Sequence, residues 1–290
     1  MQIVFHIGAH CTDEGQILSC LAQNRQLLAG DGIFVPPPGK FRPILRESLQ
    51  VLNGRIASAD FQAIMLDSIL AKDRPQRVIF SNDASLGGVQ QVLASEQFYP
   101  DCGAKCLRLA NLFDGQDVEF ALSIRNPATF LPACFARTGG QEFEAYYAQT
   151  DPLTLRWSNV LKQIAEAVPG VPIRVWSNED TPFIWPELMR DICDLNAGAP
   201  LAGLDDFLAE IMMPEGLDRM ESYLGAHPPA NEIQRRRILS AFLDKFEIDD
   251  PTLEVEANGW TTQLVDALTD QYEEDLFVIE RMPGVQFISP

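Results

Sequence analysis

Residues 6 to 14 hold His6, His10, Cys11, Asp13 and Glu14, side chains that can ligate a metal, move a proton or satisfy the free N–H groups of a helix. Two of the three histidines in the protein lie here. A metal centre needs ligands at fixed geometry, and the step from His6 to His10 runs out of an apolar stretch into a polar loop, where spacing fixes none. No metal is expected, which leaves metal-dependent hydrolysis as the most distant reading of the cluster. Asp13 and Gln16 stand three apart at the start of a helical apolar pattern, the spacing of a capping box. A carboxylate used in that way fills the helix N-terminus that would otherwise attract an anion.

Other conspicuous groups are read as structural. The six cysteines are scattered, with neither the density of a disulfide scaffold nor paired CxxC knuckles, and are expected to be reduced thiols, mostly in the core. Cys102 and Cys106 form a CxxxC, which meets neither redox nor zinc spacing. Arg235, Arg236 and Arg237 precede Ile238, Leu239, Phe242 and Leu243 and are expected on a solvated helix face, balancing Glu232 and Asp244.

The elements that must position the first cluster follow from hydrophobic period. Residues 2 to 7 read as an interior strand, followed by a loop and then helical spacing through Ile17, Leu18, Leu21, Leu27 and Leu28. Further strands are expected at 32–35, 77–81, 117–124 and 171–176, separated by helical stretches, with Pro36-Pro37-Pro38-Gly39 as an extended surface loop. This alternation defines an α/β fold of three layers with a mainly parallel central sheet. Residues 1–199 are assigned to that core. Residues 200–290, whose periodicity is helical only, are assigned to an α-helical part packed on it. Ligands of such sheets bind at the carboxyl ends of the strands. Three tips are thereby selected: the loop after the first strand, Ser81-Asn82-Asp83 and Arg125-Asn126-Pro127. A single pocket is expected to hold all three, with Arg125 paired to Asp13, Glu14 or Asp83.

Charge narrows the partners. The 290 residues carry 22 Lys and Arg against 41 Asp and Glu, a net charge of −19. A nucleic-acid partner is excluded, because binding phosphates requires a cationic face. There is no apolar run of the ~18 residues a membrane span needs, so no membrane is expected and the protein is placed in the cytoplasm. The imbalance is uneven, at −3 over residues 1–150 and −16 over residues 151–290. An anionic ligand belongs on the first half.

The run His6-Ile7-Gly8-Ala9-His10-Cys11-Thr12-Asp13-Glu14-Gly15-Gln16 resembles the phosphosulfate-binding loop of sulfotransferases, which in many members reads H-I-G-x-H-K-T-G-T-T-S. Phe80-Ser81-Asn82-Asp83-Ala84-Ser85 is similar to their S-S-E-x-L-S tip, and Leu122-Ser123-Ile124-Arg125-Asn126-Pro127 to their L-x-R-x-P segment. The likeness covers roughly residues 2–195 and implies a P-loop-type fold. It implies the donor 3′-phosphoadenosine-5′-phosphosulfate (PAPS), with Gly8, His10, Cys11, Thr12 and Arg125 at the donor site, Arg125 on its 3′-phosphate. Asp83 or His10 would be the base acting on a small-molecule or carbohydrate acceptor.

The departures fall on the donor loop. Cys11 stands where the family has Lys, Asp13 where it has Gly, and Glu14 where it has the first Thr, a local change of three charge units. At ~5 Å and an effective dielectric of ~20, each unit pair is worth roughly 3 kcal/mol before screening. The family's second 3′-phosphate ligand, a Ser eight residues after the Arg, is Ala133 here. Two functions follow from different classes: sulfuryl transfer from PAPS to a hydroxyl or amine, or a non-catalytic binding or scaffolding protein of the same fold, with a protein partner, whose donor site is filled by its own acids.

Overall fold

The protein is described by a computed structural model over residues 1–71, 73–139, 142–248 and 260–290. Its strands are β1 (Gln2–His6), β2 (Ile33–Phe34), β3 (Arg77–Ser81), β4 (Leu93–Ala94), β5 (Gln97–Phe98), β6 (Asp117–Ile124), β7 (Ile173–Ser177) and β8 (Val285–Ile288). The helices are α1 (Gln16–Gln23), α2 (Arg25–Gly30), α3 (Pro38–Leu52), α4 (Ala59–Leu70), α5 (Cys102–Asn111), α6 (Pro127–Thr138) and α7 (Phe143–Tyr147). They continue with α8 (Trp157–Ala167), α9 (Thr181–Cys193), α10 (Asp206–Ile211), α11 (Pro214–Ala226), α12 (Glu232–Phe246) and α13 (Thr262–Ile279).

Six strands form one parallel sheet in the order β2-β3-β1-β6-β7-β8, so β1 lies inside it between β3 and β6, as its apolar run requires. Successive side chains point to opposite faces. Ile3, Phe5, Phe80, Leu122 and Val175 enter a core built with α3, α4, α5, α6, α8 and α13. Val4, Ile79, Ala121 and Trp176 pack on the other face against α1, α2, α9 and α10. That is the three-layer α/β arrangement read from the sequence. A smaller apolar cluster joins α10, α11 and α12 through Met212, Met220 and Phe246.

Two expectations are corrected. The stretch after residue 200 is not helical only, because β8 extends the sheet beside β7, with Ile173 opposite Val285. The triple proline is not wholly loop either. Pro38 is the first residue of α3, where its missing N–H has no intrahelical partner to lose, and Pro37 caps that helix in extended conformation. The CxxxC serves packing: the Cys102 thiol faces the Val160 carbonyl of α8, and Gly103 lets α5 lie directly on the α8 backbone. Burial pushes the Cys102 thiol up to about 11.

Candidate functional site

Parallel pairing brings the ends of β3, β1, β6 and β7 to one rim of the sheet. The chain leaving β1 continues to pair with β6, since the Ala9 N–H donates to the Ser123 carbonyl (3.0 Å) and the Ser123 N–H to the Gly8 carbonyl (2.8 Å). Gly8 has φ +122°, and a Cβ there would stand 3.0 Å from the Asp83 carbonyl oxygen, so only glycine lets the first loop lie against the β3 tip. Cys11 and Glu14 then adopt left-handed conformations, and Gly15 (φ +84°) opens α1.

Each polar side chain of this loop has an internal partner. Thr12 Oγ1 donates to the Ala9 carbonyl (3.0 Å). Asp13 Oδ2 accepts the Ile17 N–H at the start of α1 (3.0 Å), and the Asp13 carbonyl accepts the Gln16 N–H (2.7 Å). The cap residue itself is Gly15, not Asp13, yet a carboxylate does satisfy a first-turn N–H. Glu14 pairs with Arg137 from the last turn of α6. The Tyr99 hydroxyl accepts the His10 N–H (3.2 Å) and lies 2.8 Å from His10 Nδ1. His6 Nδ1 and Ser81 Oγ are 2.9 Å apart. Burial lowers both imidazoles below their ordinary range. The Cys11 thiol is also lowered, first by a hydrogen bond from Cys134 and against its own burial.

Arg125 does not meet Asp13, Glu14 or Asp83 as expected. Its Nη1 donates to the Cys11 carbonyl (2.7 Å) and its Nε to Thr129 Oγ1 (2.9 Å). The reason lies in α6. That helix turns Arg137 toward Glu14 and sets Thr129 one turn beyond Arg125, whereas Ala133 is buried within it. Beside them Glu179 accepts from the Asn126 N–H (2.9 Å) and the Ser177 hydroxyl (2.7 Å), tying the β6 tip to the β7 tip. Next to it burial, then the Glu179 charge, raises Asp180 to about 6.

The three tips do not share one cavity, because the loop stands between them. A cavity of 190 Å³ is lined by Asp83, Ser81 and His6 together with Arg42 and Arg137. A second, of 490 Å³, is lined by Arg125, Thr129, Thr12 and Glu179. Asp13 and Glu14 line both. Of the candidate bases, Asp83 faces the smaller cavity, while His10 is buried beneath the loop against Tyr99. Arg42, Arg137, Thr129 and Tyr99 carry no signal in the sequence. No motif marks them, and only tertiary packing brings them to the loop. Among the described residues no group of three or more His, Cys, Asp and Glu side chains is placed to hold a metal ion, and no helix is long and apolar enough to cross a membrane.

No model of a protein family matches the chain, and no curated protein matches it. Among solved structures, the crystal structure of a sulfotransferase from Alicyclobacillus acidocaldarius is 14% identical with a TM-score of 0.40, the match covering 82% of this chain and 97% of that one. At that distance the likeness says nothing of chemistry.

Proposed function

We propose that this protein is a binding protein built on the sulfotransferase plan, with the donor site closed by its own side chains. The observation that carries the reading is the 3.0 Å hydrogen bond from the Ile17 N–H to Asp13 Oδ2. It puts a carboxylate at the helix N-terminus that a donor phosphate would need. Glu14, held by Arg137, adds a second anion on the same wall, and the Cys11 carbonyl and Thr129 engage Arg125. The residues present therefore do not fit PAPS. Sulfuryl transfer is the second reading, favoured by Asp83 lining a cavity with the cations Arg42 and Arg137.

Calorimetric titration with adenosine 3′,5′-bisphosphate tests the proposal. The expected outcome is no binding, or a Kd in the range of about 1 mM or weaker. Cys11→Lys, Asp13→Gly and Glu14→Thr together should restore affinity, because they return three charge units to the loop. A Kd of about 1 μM for the unaltered protein would overturn the proposal in favour of the transferase.

A further inference from the structure

Helices α3 and α5 face each other beside the β3 tip. A cavity of 410 Å³ opens there, within the range of about 300–1,000 Å³ typical of small-molecule pockets. Its inner wall is aromatic and aliphatic. Phe41 and Phe80 are each 1% exposed with ring centroids 5.1 Å apart, and Leu45 lies beside them. Its polar lining carries four cations, Arg42, Arg46, Lys105 and Arg108, and no acid.

That lining is anomalous in a chain with 41 acidic residues against 22 basic ones. Elsewhere Arg74, Arg77, Arg137, Arg174, Arg219, Arg235 and Arg236 each pair with a carboxylate. None of the four cavity cations forms an ion pair with a described residue. Lys105 Nζ donates to the Leu86 carbonyl (2.6 Å) and Arg42 Nη2 to the Ser81 carbonyl (3.3 Å). Arg42 Nε is buried without a hydrogen-bond partner. An unpartnered buried N–H is costly to keep.

Four like charges around an apolar floor repel one another, and a net charge of −19 draws no anion from a distance. Only a local field can hold one. We infer that this cavity binds a small amphipathic anion, a molecule with a single carboxylate, sulfate or phosphate head on an alkyl or aryl body. The head sits among Arg42, Arg46, Lys105 and Arg108, and the body lies on Phe41, Leu45 and Phe80. A bare anion leaves the more open apolar lining, such as the half-buried Leu49, wet, and a neutral alcohol leaves the cations unanswered. The inference does not depend on the reading of the donor loop, although Arg42 also lines the Asp83 cavity, so the head would lie next to it.

The test is calorimetric titration of the whole protein with octanoate, 1-octanol, acetate, inorganic phosphate and octyltrimethylammonium. Octanoate is expected to bind one to one and at least about tenfold more tightly than each of the others, and to weaken between about 50 and about 500 mM NaCl. Arg46→Gln with Arg108→Gln, both exposed and without a partner to lose, should weaken octanoate at least about tenfold while the melting temperature is unchanged. Octanol or the cationic amphiphile binding as well as octanoate would show an apolar groove only, and overturn the inference. Acetate or phosphate binding as well would show a bare anion site, with the same result. The series on the unaltered protein decides the matter even where the double variant folds poorly.

Discussion

Glu14 meets an arginine 123 residues away, and that one pairing separates what the sequence exposes at this site from what it hides. The tips carrying Asp83 and Arg125, and the acids replacing Lys, Gly and Thr in the first loop, are visible as residue types at strand ends. Which arginine reaches which acid depends on the phase of α6, on which Thr129 and Arg137 stand about two turns apart. His6 shows the same division. Its buried ring hydrogen-bonds Ser81 and stacks on Trp176, facing Asp13, Asp83 and the Gly8 backbone. Burial lowers its pKa in the fold, outweighing the raising effect of both aspartates. Unfolded chain therefore takes up a proton near pH ~6.5 that the folded protein refuses. The stability contributed is complete above that pH and is lost as the pH falls through it toward the folded value. His6→Asn should flatten the decline of melting temperature between about pH 7 and about pH 5. Parallel curves for variant and parent would show that His6 is not the group responsible.

At the scale of elements, strands with unbroken apolar runs were legible because burial on both faces leaves one kind of residue. β8 was not legible. Its four residues are too few to show a period, and they follow a long helix, so only the open edge of β7 makes a strand of them. The antiparallel pair β4–β5, two residues each, is similarly a product of context. The contact of α5 with α8 rests on Gly103, where an added Cβ would stand 2.6 Å from the Gln163 carbonyl oxygen. Gly103→Ala gains helix propensity of about 1 kcal/mol but forces two backbones apart. Because the obstacle is backbone and not a flexible side chain, the clash wins, and a net loss of about 1–3 kcal/mol is expected. Urea unfolding measures it, and an unchanged or higher midpoint would place the helices farther apart than described.

For the whole molecule, charge was legible in total and by halves, but not its local reversal between α3 and α5. Residues 151–290 alone carry a net −16, so the folded state works against its own repulsion. Sodium chloride should accordingly raise the melting temperature, by about 2–4 °C between low salt and ~0.5 M, as screening shortens to a few ångströms. A flat or falling curve would mean that ion pairs such as Arg77–Glu119 outweigh the repulsion. The order of the strands bears also on how the chain is made. β1 emerges from the ribosome first, yet its neighbours are residues 77–81 and 117–124, and β7 waits for residues 285–288. During synthesis Ile3, Val4 and Phe5 have no neighbouring strand until residues 77–81 exist, and are paired on both sides only once residues 117–124 follow. The sheet edge at β7 stays open to other nascent chains almost to the last codon of β8. Slow translation between residues 6 and 77 therefore lengthens the time that Ile3, Val4 and Phe5 spend without a neighbouring strand.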